Sequence, residues 1–476
     1  MTPTRSGEWP ATFPVRSTGS ARSRSARRSS SSRASTGSPS WPRLGRYLET
    51  AAEHSSDTRV GTVPSADPAD EFSRLACLTY SREDGPERWA RARRLLAERP
   101  ELTSSDIWAA AAAARPEDVG RLLDGQPGLA AERGGPFRWR PLFYLAYSRF
   151  DPAVPVERVL AVARRLLDAG ADPNDGYLFD GLPSPFTVLT GVFGHGELGS
   201  RRQPPHPRWR ALGRLLLEAG ADPNDAQALY NRMFEPDDSH LELLFDHGLG
   251  TGDGGPWRTR IAELDSPARL LRVQLRWAVE HHQAARVRLL VEHGVDFHSP
   301  FEGDGPAWSP GDGRTPVELA QLGGDREIAD HLLARGATPP GPDPVRELIA
   351  AAFRADRSAV DRLRSDHPDV VARARRGRPG LVVWAAARAG GEAVALLVEL
   401  GFDVNAYGRG DAPVEEAWET ALHHSAMAGD VELTRRLLDL GADPDLRDRR
   451  FDATPLDWAR HFDRAATVDL LEPLTA

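Results

Sequence analysis

The sequence predicts an all-α solenoid of about ten to eleven degenerate helix–loop–helix units, with hairpin or irregular loop insertions between them. Three observations carry that expectation. A phrase built on paired leucines and a closing glycine returns along most of the chain. A second phrase, opening on threonine, precedes it by one helix. The chain has 476 residues, more than one compact core accommodates, so several domains or one elongated array are required.

The first phrase is clearest at Arg164–Asn174, Arg214–Asn224 and Arg435–Asp445, and weaker copies close on Gly248, Gly294, Gly336 and Gly401. Each reads as the last turns of an amphipathic helix whose leucines face inward. The glycine stands where the helix must end in a left-handed backbone conformation that a side chain would strain. In the clearest copies Asp-Pro follows and starts an extended loop, because proline cannot continue a helix.

The second phrase appears at Thr315–Ala320, Thr420–Ala426 and Thr454–Ala459. Threonine caps a helix N-terminus and proline fits its first turn. Small residues follow where two helices approach closely. Tryptophan precedes them at Trp108, Trp277, Trp384 and Trp458, a shared slot that predicts four core residues. These residues resemble the ankyrin repeat, and the best single match runs from Thr420 through Gly429-Asp430 to Gly441-Ala442-Asp443. There Ala421 replaces the family's proline and Asp445 its final asparagine. The resemblance covers about residues 71–474. It implies that His423 makes structural hydrogen bonds, and that a partner protein lies along the concave face, touching loop fingers and first helices.

Glycine-to-glycine spacing is irregular, reaching 50 residues from Gly170 to Gly220 and 46 from Gly248 to Gly294. The excess is Gly/Pro-rich and belongs in loops, because residues inserted inside a packed helix pair would break the stack. Pro339-Pro340-Gly341-Pro342 marks the expected division between an N-terminal array, 66–339, and a C-terminal one, 340–476. Residues 1–65, rich in Ser and Arg, offer too little apolar surface to order and are expected to be disordered.

Composition narrows the chemistry. All 60 cations are arginines, which excludes a Walker-type lysine, a pyridoxal Schiff base and a Ser-Lys nucleophile. The net charge of -9 argues against broad nucleic-acid binding. Residues 1–60 carry roughly +6, however, leaving roughly -15 on the rest, so a third reading gives the tail to anionic surfaces. Cys77 stands alone, so an intramolecular disulfide is impossible and a reducing, cytoplasmic setting is expected. No apolar run is long enough to span a membrane, and no secretory signal is expected. Gly194–Gly199 matches a dinucleotide-loop pattern, but Pro204 and Pro205 follow where the phosphate-holding helix must start. The pairs Asp304-Gly305 and Asp312-Gly313 read as hairpin turns, and His281, His282 and His293 as a solvated face and turn, so no metal or cofactor is expected.

The functional expectation is therefore a non-enzymatic scaffold or adaptor, a monomer, that binds an unidentified protein partner. Aromatics and arginines outside the repeated core slots are its candidate contacts, since they bring large area with few torsions to freeze. They are Trp139, Tyr177, Phe179, Trp257, Phe301, Trp308, Tyr407, Arg409 and Trp418. The same aromatics also fit burial beneath the inserts. The alternative function is an enzyme or small-ligand protein with a pocket built from the long insertions at 175–210 and 250–268.

Overall fold

The computed structural model describes residues 55–56, 63–179, 184–196, 199–301, 313–323, 325–408 and 417–475. These are mostly helical, as expected of an all-α chain. Two compact units divide between Leu270 and Leu271.

In the N-terminal unit the helices run α1 Pro68–Ala76, α2 Pro86–Glu98, α3 Ile107–Ala112, α4 Pro116–Gly125, α5 Pro141–Tyr147 and α6 Val156–Asp168. A small sheet follows, in which β1 Ser55–Ser56 pairs parallel with β2 Gly176–Phe179, and β2 pairs antiparallel with β3 Pro185–Thr187. Then come α7 Val188–Phe193, α8 Gly199–Arg202, α9 Trp209–Glu218, α10 Ala226–Met233, α11 Ser239–Phe245 and α12 Gly255–Arg260. First helices stack in the series α1, α3, α5, α7 and α10, and second helices in the series α4, α6, α9 and α11.

The dividing point lies inside α13, Pro267–Glu280. The C-terminal unit continues with α14 Ala284–Glu292, α15 Pro316–Leu322, α16 Arg326–Ala334, α17 Pro344–Phe353, α18 Arg357–Asp366, α19 Val370–Gly377, α20 Leu381–Arg388 and α21 Gly391–Glu399. It ends with α22 Ala421–Ala428, α23 Val431–Asp439, α24 Pro455–His461 and α25 Ala465–Leu471. Here α20, α22 and α24 stack as first helices and α21, α23 and α25 as second helices. A core cluster of this unit runs from Leu322 to Leu471, and a smaller one joins Trp418, Ala453 and Trp458.

Local chemistry explains the boundaries. Proline opens α1, α2, α4, α5, α13, α15, α17 and α24, where its missing N–H costs nothing. Thr315, Thr420 and Thr454 cap their helices through reciprocal boxes with the residue three positions on. The second helices α16, α18 and α23 are capped by Asp325, Asp356 and Asp430. Every glycine predicted to close a leucine phrase has positive φ, from 77° at Gly294 to 96° at Gly220 and Gly336.

Two expectations change. The chain divides inside α13 and not at Pro339–Pro342, because α15 before the proline run packs against α17 after it, so the run only shapes a loop. Within the expected disordered tail, Ser55–Ser56 form a strand edge and Ser65 donates its N–H to Glu71, while residues 1–54 and 57–62 lie outside the described residues.

Candidate partner-binding turns and the chemistry around them

The turn that follows each second helix is built the same way at Gly170, Gly220, Gly401 and Gly441. The aspartate two residues after the glycine accepts from the backbone N–H two positions further on, at Asp172, Asp222, Asp403 and Asp443. The asparagine then reaches the next turn in the stack. Asn174 donates to Gly220 O at 2.8 Å and accepts from Asp222 N–H at 2.7 Å. Asn405 does the same with Gly441 O at 3.2 Å and Asp443 N–H at 2.8 Å. Asn224 donates to Thr251 O and accepts from Gly250 N–H. A side-chain amide, holding donor and acceptor together, suits this two-way link. The repeated phrase therefore codes the joint between units as well as the end of each helix.

First helices are joined separately. His423 is buried; its Nδ1 lies 2.8 Å from Thr420 Oγ1 and its Nε2 lies 3.0 Å from Ala453 O. Burial holds its pKa below the ordinary value, so the ring is neutral, Nε2–H donates and Nδ1 accepts. His423 thus makes the structural hydrogen bonds expected of it. In the N-terminal unit Thr187 and Thr190 donate instead to the buried carboxylate of Asp225, which also caps α10 through Ala228 N–H. Burial raises the Asp225 pKa.

The long insertion at 194–207 is held by buried polar groups. Arg149, 4% exposed, donates to the carbonyls of Pro204, Ala146, Ser148 and Gly191. Burial pushes its pKa down to about 10, leaving it charged at neutral pH. His206 N–H donates to Val192 O, and His195 N–H to Gln203 O. Burial lowers both imidazole pKa values, that of His195 to about 3. A Cβ at Gly194 would lie 2.4 Å from Pro204 O, so the glycine permits a tight reversal against the proline pair.

The aromatic contacts expected at a partner surface need correction at five positions. Trp139 (3% exposed), Tyr177 (1%), Trp257 (6%), Phe301 (0%) and Trp418 (6%) are core residues. Trp139 stacks on Phe137 with ring centres 4.3 Å apart. Tyr177 stacks on Phe186, and Trp257 donates its indole N–H to Asn174 O. Arg272 lies over Phe301, and Trp418 packs on Trp458. These rings pack on neighbouring side chains because so much apolar area gains more from packing than from solvent. Phe179 is half-buried beside Phe186. Tyr407 is half-buried under Arg449 and donates to Arg447 O. Trp308 and Arg409 lie outside the described residues.

The tryptophan slot is also uneven. Trp384 and Trp458 are buried, whereas Trp108 on α3 and Trp277 on α13 are half-buried. The shared slot suggested one environment for all four, and these two are only partly covered. His281 stacks on Trp277 at 3.6 Å, and His282 pairs with Asp325 at 2.8 Å. Cys77 is buried, and burial pushes its thiol up to about 12, which makes it inert. Between the two inserts, a cavity of about 40 Å³ lined by Asp222, Asp225, Asp265 and Trp257 has room for water and not for an organic substrate.

The ankyrin repeat family model matches residues 418–449. The chain carries an ankyrin repeat there, spanning α22, α23 and the Gly441 turn. No curated protein matches the chain. Ankyrin repeats bind proteins, so a general binding role follows. No helix among the described residues is long and apolar enough to cross a membrane.

Proposed function

We propose that this chain is a cytoplasmic, monomeric and non-enzymatic scaffold or adaptor. In this reading about ten to eleven degenerate ankyrin-type units present turns and first helices to a partner protein. The observation that carries the proposal is the ankyrin repeat at 418–449, whose turn recurs with the same internal bond at Gly170, Gly220 and Gly401. Stacked pairs bury their apolar faces against neighbours and leave the turns for recognition. Trp108 on α3 and Trp277 on α13, large and only half-buried, are the aromatic anchors this reading offers.

Affinity capture with the full chain tests this reading. Trp108→Ala and Trp277→Ala together should weaken retention of the captured partner about tenfold or more, with circular dichroism and the unfolding midpoint preserved. Unchanged retention by a folded double variant would remove α3 and α13 from the interface.

A further inference from the structure

The C-terminal unit contains a cavity of about 530 Å³, within the range of sites for small organic ligands. Its lining comes from α15, α17, α19, the start of α20 and the chain around Tyr407–Gly408. Two glycines let the walls meet. A Cβ at Gly380 would lie 2.3 Å from Tyr407 O, and one at Gly408 would lie 2.5 Å from Gly380 O. No other residue fits that backbone approach without displacing it.

The lining has two kinds of surface. One is cationic: Arg314, Arg346 and Arg378 line the cavity, with Asp343 the single acidic side chain among the described lining residues. Burial, and then the neighbouring Arg314, push the Arg378 pKa down to about 10, so it remains charged at neutral pH. Arg346 is oriented by Glu318 at 3.4 Å and by Gly341 O. Asp343 is engaged at the N-terminus of α17, accepting from Val345 N–H at 3.0 Å. The other surface is apolar, formed by Leu322, Ile349, Leu381 and Trp384. The Trp384 indole is 2% exposed, and its buried N–H has no hydrogen-bond partner among the described residues. Close by in sequence, residues 354–378 hold eight arginines against four aspartates. Arg373, Arg375 and Arg376 of that stretch are exposed, so the local field favours entry of an anion.

Guanidinium groups gathered beside an apolar wall suit a ligand with a compact polyanionic head and an apolar or aromatic body. Arginine's planar fork matches phosphate oxygens in pairs, and the volume far exceeds that of a phosphate alone. We propose that this cavity is a binding site for a phosphomonoester carried on an aromatic or apolar body. It stands independently of the scaffold reading. The phosphate belongs either to a free small molecule or to a phosphorylated side chain of a peptide.

The test is calorimetric titration of the full chain with inorganic phosphate, phenyl phosphate, AMP and a phosphotyrosine peptide. Phenyl phosphate or AMP should bind about tenfold or more tightly than inorganic phosphate, because only they reach the apolar wall. Tight binding of the phosphotyrosine peptide with weak binding of AMP would assign the peptide source; the reverse would assign the free molecule. Arg378→Gln and Arg314→Gln should each weaken the preferred probe about tenfold or more, with Arg378→Lys falling between Arg378→Gln and the unaltered protein. Should a variant fold poorly, amide exchange on the unaltered protein gives a second readout. The bound probe should slow exchange at 374–384 and 407–408. Absence of binding by every probe at millimolar concentration, or protection confined to other segments, overturns the proposal.

Discussion

At Thr187 in the N-terminal unit and at Thr420 in the C-terminal unit, a threonine caps a first helix and the cap is tied to the next helix pair. The ties use opposite chemistry. Thr420 works through a neutral histidine that donates to the carbonyl of Ala453, so the link itself carries no charge, although the Asp448 carboxylate is buried behind it on Ala453 N–H. Thr187 and Thr190 point their hydroxyls at Asp225, a carboxylate out of water that depends on its donors. The same unit also buries Arg149, and His195 and His206 within the 194–207 insertion. The comparison teaches that the joint's position is fixed by the stack while its chemistry is free to vary. Where an insertion must be covered, the variant chosen is the one with more buried polar groups.

That contrast sets an order of sensitivity. Arg149→Met should have the largest effect, about 3–5 kcal/mol, because it leaves four carbonyls without their buried donor. Urea unfolding should show it, with loss of amide protection at 188–207. Preserved protection there would mean that the insertion is held by its backbone bonds, His195 N–H to Gln203 O and His206 N–H to Val192 O, without the arginine. Asp225→Ala follows at about 3 kcal/mol and His423→Leu at about 2 kcal/mol, since the first strands two hydroxyls and a helix cap while the second loses one carbonyl partner and one cap contact. Equal losses in the two unfolding curves would erase the distinction between charged and neutral joints.

Acid should separate the units next. His195, His206 and His423 have pKa values held below 6.5 in the fold, so the unfolded chain takes up their protons first. Their contribution is whole above pH 6.5 and is lost as pH falls through 6.5, continuing toward about 3 for His195. Thermal unfolding followed by amide exchange between pH 7.5 and 5 should therefore weaken the N-terminal unit, where His195 and His206 are displaced furthest, more than the C-terminal unit, where His331 and His423 are lowered less. The smallest expected effect is that of Asn174→Ala or Asn405→Ala, about 1 kcal/mol each, read as faster exchange at the following turn, at Asp222 or Asp443. A matched loss at the two sites would show that the turn joint is the same in both units even though the first-helix joint differs.

Much of the fold was legible because its signals are local. Gly170, Gly220 and Gly441 end helices by backbone conformation, and Thr315, Thr420 and Thr454 begin them by capping, so neither needs knowledge of a distant partner. What depends on distant partners was misread or missed. Trp139 looked like a finger aromatic, yet Phe137, Phe143, Tyr144 and Tyr147 lie close in sequence, and that density was the available sign of a core. Trp108 and Trp384 share a phrase position, but what packs above each differs, so one is half-buried and the other buried. Pro339–Pro342 reads as a boundary locally, while the packing of α15 on α17 across it is a tertiary fact. Asp225 carried no sequence sign of its second role, because a helix cap alone explains an aspartate there. The arginine cavity was equally hidden, since its three cations lie on separate elements and meet only after folding.

The asparagine links bind turns that are 46, 26 and 36 residues apart along the chain, at Asn174–Gly220, Asn224–Gly250 and Asn405–Gly441. Pitch is thus set by a handshake between neighbours and is indifferent to how much polypeptide loops out in the interval. Such a chain can acquire or shed loops without losing phase, and foreign segments grafted between two turns should leave the spacing of the flanking helices intact.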